Sequence, residues 1–262
     1  MNLKNKKICK LCDGDLFKDP ILVLNKMPKA AQHFLNRKEL PNFESINLKI
    51  YQCKKCGLVQ LISKPVWYFK DVITAATISG KVRKLRLKQM KSFSKKYNLF
   101  GKKIIEVGCA SGEMLDIIEE AKMLGYGLEH SAKSVSKGLK IGRKINKGFI
   151  EDTNKFDNGP FDGFLCYNFL EHLPNLKKAI KNIYNNLYEG GVGIVTVPNL
   201  KYLLKTKTHY EFVADHLSYF TQETISKAFN NLGFKILENI LINNNNDIQI
   251  IVKKVLNNKK KK

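Results

Sequence analysis

From residue 101 onward, short apolar runs alternate with helical stretches, and this alternation constrains the fold more than any other feature of the sequence. Strands separated by helices build a mostly parallel sheet with helices on both faces. The pattern ends differently, because two apolar runs flank the polar turn at 243–247 and predict an antiparallel hairpin. The predicted strands are 103–107, 126–129, 147–150, 161–166, 191–197, 234–242 and 248–252. The predicted helices are 113–123, 131–142, 174–187 and 221–232.

The first predicted strand runs into a glycine loop at 106–112. Gly108 allows a sharp turn and a close approach of a ligand, and a helix start at Gly112 offers unpaired backbone N–H groups. The spacing is G-x-x-x-G, not the G-x-G-x-x-G of dinucleotide sites. Glu106, two residues before the first glycine, suits the ammonium group of a cofactor with an amino-acid end. Glu129 ends the second predicted strand, where a carboxylate can accept both hydroxyls of a ribose.

Four of the six cysteines form two C-x-x-C pairs, Cys9 with Cys12 and Cys53 with Cys56. One such pair can hold a metal ion from a tight turn, and two pairs complete a tetrahedral four-thiolate site. A closed site of this kind predicts structural zinc, with iron as the alternative metal and unligated thiols as the third interpretation. The small module at 1–65 would draw much of its folding energy from the metal.

The net charge of +23 is concentrated towards the ends of the chain. Eight basic residues and no acidic residue occur between Lys81 and Lys96, inside a predicted linker and helix at 66–100. This run indicates either a solvated helix face or a contact with a polyanion such as a nucleotide phosphate or RNA. The lysine-rich tail at 256–262 is expected to fray.

The apolar runs are all short compared with the roughly 20 residues of a membrane-spanning helix. The first residues also lack the apolar stretch of a signal peptide. These two observations predict a cytoplasmic protein without a membrane span.

The order of short motifs resembles that of the class I S-adenosylmethionine (SAM) methyltransferases. The motifs are the glycine loop, Gly125–Glu129, Phe161-Asp162, Glu171-His172-Leu173, Glu189-Gly190-Gly191 and Val197-Pro198-Asn199. Further motifs narrow the resemblance to the zinc-binding sugar C-methyltransferases. They are the two cysteine pairs, Met27-Pro28-x-Ala30 with Phe34, the run at 57–61 and the run at 216–221.

The resemblance implies a Rossmann-like α/β fold at 101–255, with a mostly parallel seven-stranded sheet and a C-terminal antiparallel hairpin. A small N-terminal zinc-binding module with four cysteine ligands would precede it. The sugar enzymes continue into a third domain, whereas this sequence stops after the predicted hairpin. The resemblance therefore implies the cofactor and the metal for this chain, but it does not imply the acceptor or the methylated atom.

The cofactor implied by the resemblance is SAM, and the metal is a structural Zn²⁺ ion. Glu106 and Gly108 would line the methionine end of SAM, and Glu129 would hold the ribose with His130 beside it. The other predicted cofactor contacts are Ala110, Gly112, Phe149, Ile150 and Asn168. His172 would be the general base, assisted by Glu171. The further candidates for acceptor contacts are His216, Tyr68, Thr77 and Ser79.

The predicted function is methyl transfer from SAM to a small acceptor, such as a nucleotide-linked sugar or another precursor of a glycan or capsule. Two alternatives stay open, an RNA methyltransferase that uses the basic N-terminal region and a non-catalytic binding protein that retains the pocket. The segment Tyr167-Asn168-Phe169-Leu170 lacks the N/D-P-P-Y/F/W pattern of adenine N6-methyltransferases. The Pro-Cys dipeptide of cytosine C5-methyltransferases does not occur. The acceptor and the methylated atom stay undetermined.

Overall fold

The computed structural model describes residues 7–32, 37–38, 44–70 and 78–255. These ranges contain eleven strands and six α-helices. The strands are β1 (Leu22–Pro28), β2 (Ser45–Gln52), β3 (Val59–Leu61), β4 (Lys103–Val107), β5 (Leu124–Glu129), β6 (Ile145–Lys147), β7 (Phe161–Tyr167), β8 (Leu187–Pro198), β9 (Ser218–Tyr219), β10 (Phe234–Ile242) and β11 (Asp247–Lys254). The helices are α1 (Gly80–Lys96), α2 (Glu113–Glu120), α3 (Ala132–Lys140), α4 (Leu176–Asn185), α5 (Leu200–Thr206) and α6 (Gln222–Asn230).

The large sheet has seven strands in the order β10-β11-β8-β7-β4-β5-β6. The pairs from β8 to β6 are parallel, and β11 pairs antiparallel with both β8 and β10. This arrangement confirms the predicted mostly parallel sheet with a C-terminal antiparallel hairpin.

The third strand of the predicted series lies two residues earlier than expected. The sequence predicts a strand at 147–150, but β6 covers Ile145–Lys147, which are the residues that pair with β5. The chain turns after Lys147, so Phe149 and Ile150 are buried in the loop beyond the strand. That displacement matters because both side chains are predicted cofactor contacts.

Helices cover both faces of the large sheet because successive strand side chains point to opposite faces. Ile104 packs with buried side chains of α1, α2 and α3. Ile105, the next residue of β4, packs with α4 and α6 on the other face. Burial of each such aliphatic side chain contributes about 1.5–3 kcal/mol to folding. Two apolar cores therefore fix β4 from both sides, immediately before the glycine loop.

A smaller sheet has the order β1-β2-β3-β9. Its first three strands come from the N-terminal part, whereas β9 lies more than 150 residues later in the chain and pairs with β3. Leu200 and Leu203 of α5 belong to the core on this sheet. The cysteine module therefore shares a sheet with the α/β part of the chain, across the predicted boundary at residue 65.

Three sequence predictions, on Phe34, Thr77 and the basic tail at 256–262, lie outside the described residues. Among the helices of the described residues, each is too short or too polar to span a membrane.

Candidate functional site

The glycine loop turns at the carboxyl end of β4 through three left-handed residues. Their φ angles are +74° at Gly108, +47° at Ala110 and +84° at Gly112. A Cβ atom at Gly108 would lie only 2.7 Å from the ring of Phe169. Glycine is therefore required there both by the backbone angle and by the close ring. Gly112 caps α2 and lies at the base of the loop.

Glu129 ties the glycine loop to the end of β5. One carboxylate oxygen accepts a hydrogen bond from the backbone N–H of Ala110 at 2.9 Å, and the other accepts from the N–H of Ser131 at 2.7 Å. A carboxylate oxygen can accept more than one hydrogen bond. Glu129 can therefore hold the loop and still accept hydrogen bonds from a diol.

A small cavity of about 40 Å³ lies beside Glu129. Six predicted cofactor residues are on its wall, namely Gly108, Ala110, Glu129, His130, Phe149 and Ile150. The Phe149 ring lies 5.9 Å from the His130 ring and 6.4 Å from the Phe169 ring, measured between centroids. Flat apolar walls next to a carboxylate suit an aromatic base joined to a ribose.

A larger cavity of about 390 Å³ continues from the same glycine loop, because Gly108 and Ala110 lie on the walls of both cavities. Its wall includes the predicted cofactor residues Glu106 and Asn168 and the predicted acceptor residue Ser79. It also includes Cys109, Thr196 and Asn243, together with Arg86, Tyr167 and Asp247, which the sequence did not single out.

Glu106 is a buried carboxylate on the wall of the larger cavity. Burial raises its pKa from 4.5 to about 8, against the opposing effect of the Arg86 guanidinium, and Glu129 raises it further. Its Oε2 atom is buried and has no hydrogen-bond partner among the described residues. A buried acceptor without a partner is costly unless a ligand satisfies it. A hydrogen-bond donor such as an ammonium group could satisfy this oxygen.

Arg86 brings one residue of the basic run into the site. Its guanidinium lies 4.1 Å from the centroid of the Tyr167 ring and donates to Gln89 at 2.9 Å. Such stacking holds a guanidinium in place at the cavity wall. The basic run therefore contributes one cavity cation, while most of its lysines are exposed.

Asp247 and Asn168 lie on the wall of the larger cavity, at the first residue of β11 and just after the last residue of β7. Asn168 has a φ of +43°, and its side chain accepts a hydrogen bond from the Thr196 hydroxyl. The Asp247 carboxylate accepts from the amides of Asn243 at 2.5 Å and Asn246 at 3.4 Å. Burial raises the pKa of Asp247 above its ordinary 3.8, while hydrogen bonds from Asn243 and Asn168 lower it.

The predicted catalytic pair, Glu171 and His172, lies in a 3-10 turn after β7. Among the described residues, neither of these two is on the wall of a cavity described above. The His172 Nδ1 atom lies 3.1 Å from the carbonyl oxygen of Asp215, and the rings of His172 and His216 are 4.7 Å apart. Burial, with a smaller effect of His216, lowers the pKa of His172 to about 3. Burial raises the pKa of Glu171 to about 7.

Tyr68, another predicted acceptor contact, belongs to the same polar cluster. Its hydroxyl donates to Asp215 at 2.5 Å. The structure therefore brings Tyr68, Glu171, His172 and His216 together, away from the walls of the two cavities.

The four predicted metal ligands come together in the N-terminal module. The Sγ atoms of Cys9 and Cys56 are 3.5 Å apart, and those of Cys12 and Cys53 are 3.6 Å apart. All four Sγ atoms lie within 4.8 Å of one another. The four cysteines are free thiols, and they pack in the same core as α4 and α6. They could hold one metal ion.

The sequence missed Arg86 and Asp247 for different reasons. Arg86 stands among seven other basic residues and carries no local mark that separates it from them. Asp247 directly follows a run of four asparagines, and such a run is typical of a solvent-exposed turn. That turn reaches the site only because β11 pairs with β8.

A seven-stranded sheet in this order, closed by an antiparallel hairpin and carrying a glycine loop between Glu106 and Glu129, defines the Rossmann-like fold of SAM-dependent methyltransferases. A family profile described as a methyltransferase domain matches residues 79–239, more than half of the chain. The chain therefore belongs to the methyltransferase domain family. The predicted enzyme class is confirmed at the level of family and fold, and the narrower resemblance to sugar C-methyltransferases stays a prediction.

Solved structures show the same fold at low sequence identity. An S-adenosylmethionine-dependent methyltransferase from Clostridium acetobutylicum superposes with a TM-score of 0.57 at 16% identity, covering 72% of this chain and 96% of that one. A magnesium protoporphyrin IX methyltransferase from Synechocystis, solved with bound SAH (S-adenosylhomocysteine), superposes with a TM-score of 0.54 at 14% identity, covering 71% of this chain and 96% of that one.

Sequence relatives match a shorter stretch. The ubiquinone biosynthesis O-methyltransferase of Idiomarina loihiensis is 33% identical over 99 residues, covering 36% of this chain and 41% of the relative. Its counterpart in Vibrio parahaemolyticus is 29% identical over 99 residues, covering 36% and 42%. The chain thus matches less than half the length of these relatives.

Proposed function

We propose that this chain transfers the methyl group of SAM to a hydroxyl oxygen of a small acceptor bound in the larger cavity. The observation that carries the proposal is the unpartnered Oε2 atom of Glu106 on the wall of the larger cavity, which shares Gly108 with the small cavity beside Glu129. The O-methyltransferase relatives support oxygen as the methylated atom.

The residues present fit the cofactor at three points. Glu106 would accept hydrogen bonds from the ammonium group, and Glu129 would accept them from the ribose hydroxyls. Phe149 and Ile150 would enclose the adenine in the small cavity. When bound, SAM supplies a sulfonium methyl group that is already activated for transfer. The chain then has to orient the acceptor, keep water away and remove one proton.

Asp247 is the carboxylate that we assign to proton removal. It lies on the wall of the larger cavity, and amides of Asn243 and Asn246 fix both of its oxygens. Burial raises its pKa, which makes it a stronger base than an exposed aspartate. Tyr167 and Asn168 share its wall and would orient the acceptor.

His172, assisted by Glu171, is the competing assignment, and it rests on the sequence resemblance. The lowered pKa makes the neutral His172 imidazole a weak proton acceptor. The two assignments predict different effects of single substitutions. Asp247→Asn removes the base in the first case, and His172→Ala removes it in the second.

We also propose that the four cysteines bind a structural zinc ion, and the geometry of their sulfur atoms supports this. Zn–S bonds of about 2.3 Å place the sulfurs of a tetrahedral site about 3.8 Å apart. The Sγ separations of 3.5 and 3.6 Å fit that geometry. Backbone N–H groups of Leu11 and Lys55 point to Cys9 and Cys53, each at 3.4 Å, as hydrogen bonds that support thiolate ligands do. The ion would lock the module against α4 and α6.

An acceptor screen with methyl-labelled SAM tests the proposed function. Phenolic and other small hydroxyl compounds, sugar nucleotides and RNA are offered in parallel, and Glu129→Ala is the inactive control. We expect label on a small hydroxyl compound. Label on a sugar carbon would support the narrower resemblance instead, and transfer to RNA that weakens steeply with salt would support the nucleic-acid alternative. A chain that binds SAM but labels none of these classes would be a binding protein.

A further inference from the structure

Glu171, His172 and His216 meet in a buried cluster that lies apart from the cysteine module. Glu171 and His172 come from the 3-10 turn after β7, and His216 comes from the segment just before β9. The three residues are almost fully buried, with 2%, 5% and 6% of their surface exposed. One ligand atom from each residue lies within 4.8 Å of the other two.

Both imidazole rings are held through Nδ1. The Nδ1 atom of His172 lies 3.1 Å from the carbonyl oxygen of Asp215, and that of His216 lies 3.0 Å from the carbonyl oxygen of Glu211. A carbonyl oxygen only accepts, so Nδ1 carries the proton in each ring. The lone pair of each ring is then at Nε2. Histidines that bind metals are oriented in this way, with the other ring nitrogen donating to a carbonyl or carboxylate.

Glu171 is the third residue of the cluster, and one of its carboxylate oxygens lacks a hydrogen-bond partner among the described residues. Its Oε1 atom lies 4.0 Å from Nε2 of His172. Its Oε2 atom is buried and has no hydrogen-bond partner among the described residues. A buried carboxylate oxygen in this state is costly without a cation. The Glu211 carboxylate, 3.1 Å from Nδ1 of His216, would in addition strengthen that ring as a ligand.

We propose that Glu171, His172 and His216 bind a zinc ion, at a site separate from the four-cysteine site. Two imidazole nitrogens and one carboxylate are a ligand set that suits Zn²⁺, and the fourth position would hold a water molecule. Ligand bonds of about 2.0–2.2 Å would draw the three atoms to about 3.4 Å from one another. The ion would link the turn after β7 to the strand segment that joins the small sheet. His172 is then a ligand rather than a base.

X-ray absorption at the zinc edge of the purified full-length chain tests this without any substitution. We expect about two zinc ions per chain, with nitrogen and oxygen neighbours at about 2.0–2.1 Å in addition to sulfur neighbours at about 2.3 Å. A single zinc ion with sulfur neighbours alone would overturn the proposal and leave a protonated His216 paired with Glu171 and Glu211. This readout does not depend on methyl transfer, so it separates the metal site from the proposed function.

Substitutions then assign the ligands. Glu171→Gln and His216→Ala should each lower the zinc content by about one ion per chain while the sulfur neighbours remain. His209→Ala removes an exposed histidine from the same segment and should leave the zinc content unchanged. An unchanged zinc content in both ligand variants would refute the assignment. If a variant fails to fold, the wild-type absorption spectrum still decides between one and two sites.

Discussion

Substitution of Glu106 by glutamine should stabilise the free protein and weaken cofactor binding at the same time. Burial raises the pKa of Glu106 from 4.5 to about 8. The folded state therefore keeps a proton that the unfolded state has lost between these two pH values. The stability that depends on this proton is fully present below about pH 4.5 and is lost as the pH rises through about 8. Glutamine has no proton to lose.

The size of the effect follows from the pKa difference. The difference between 4.5 and about 8 corresponds to at most about 5 kcal/mol of unfolding free energy. The carboxylate faces a cavity of about 390 Å³, which is wide enough for solvent to screen its charge, so we expect about 2–4 kcal/mol between pH 5 and pH 9. Loss of the charge should in turn weaken binding of SAH, which keeps the ammonium group, by about 1.5–3 kcal/mol, or roughly 10- to 150-fold.

Urea unfolding at several pH values, together with calorimetric titration by SAH, measures both effects. The stability gain of Glu106→Gln over the wild type should increase from pH 5 to pH 9. Glu189→Gln, which removes an exposed carboxylate on β8, provides the baseline for the loss of one negative charge. A stability difference that does not change with pH, or SAH affinity equal to that of the wild type, would refute the role given to Glu106.

Three further predictions concern the loop, the base and the metal. Gly108→Ala should cost about 1–3 kcal/mol of stability, because φ is +74° and the new Cβ meets Phe169, and should abolish SAH binding, as seen by denaturation and calorimetry. Asp247→Asn should lower turnover about 100-fold or more and leave SAH affinity nearly unchanged. It should also remove the acidic limb of the pH–rate profile, which in the wild type lies above the usual aspartate range. A large loss of turnover in His172→Ala, together with nearly unchanged turnover in Asp247→Asn, would favour the competing base. Release of zinc from the cysteine site by a mercurial should unfold the N-terminal module, and an unchanged thermal transition would contradict a structural metal.

The large sheet could be predicted because its signals are local. The bounds of β4 coincide with the predicted 103–107, since an apolar run, a glycine loop and a helix follow one another directly. The prediction for β6 was wrong because the strand is only three residues long and its end is set by pairing with β5. The small sheet escaped prediction for a related reason, because β3 finds its partner β9 far away in sequence.

The residues of the candidate site likewise divide into those that local spacing predicts and those that tertiary packing places. Glu106, Gly108 and Glu129 follow from spacing within one strand–loop–helix–strand unit, and the structure places each of them on the wall of at least one of the two cavities. Arg86 and Asp247 reach the larger cavity only through helix packing and strand pairing, which no short motif encodes. The sequence named Glu171 and His172 as catalytic candidates, but the turn after β7 places them off the walls of both cavities. Their catalytic role stays a prediction.

Calorimetric titration of the purified chain with SAH tests the central claim most directly, because the whole account depends on a cofactor site at the glycine loop. We predict binding of about one molecule per chain, strongly weakened in Glu129→Ala, whose lost carboxylate should cost about 1.5–3 kcal/mol. Absence of heat at millimolar SAH, from a chain with an intact cooperative unfolding transition, would contradict the account. Equal affinity in the wild type and in Glu129→Ala would place the cofactor elsewhere.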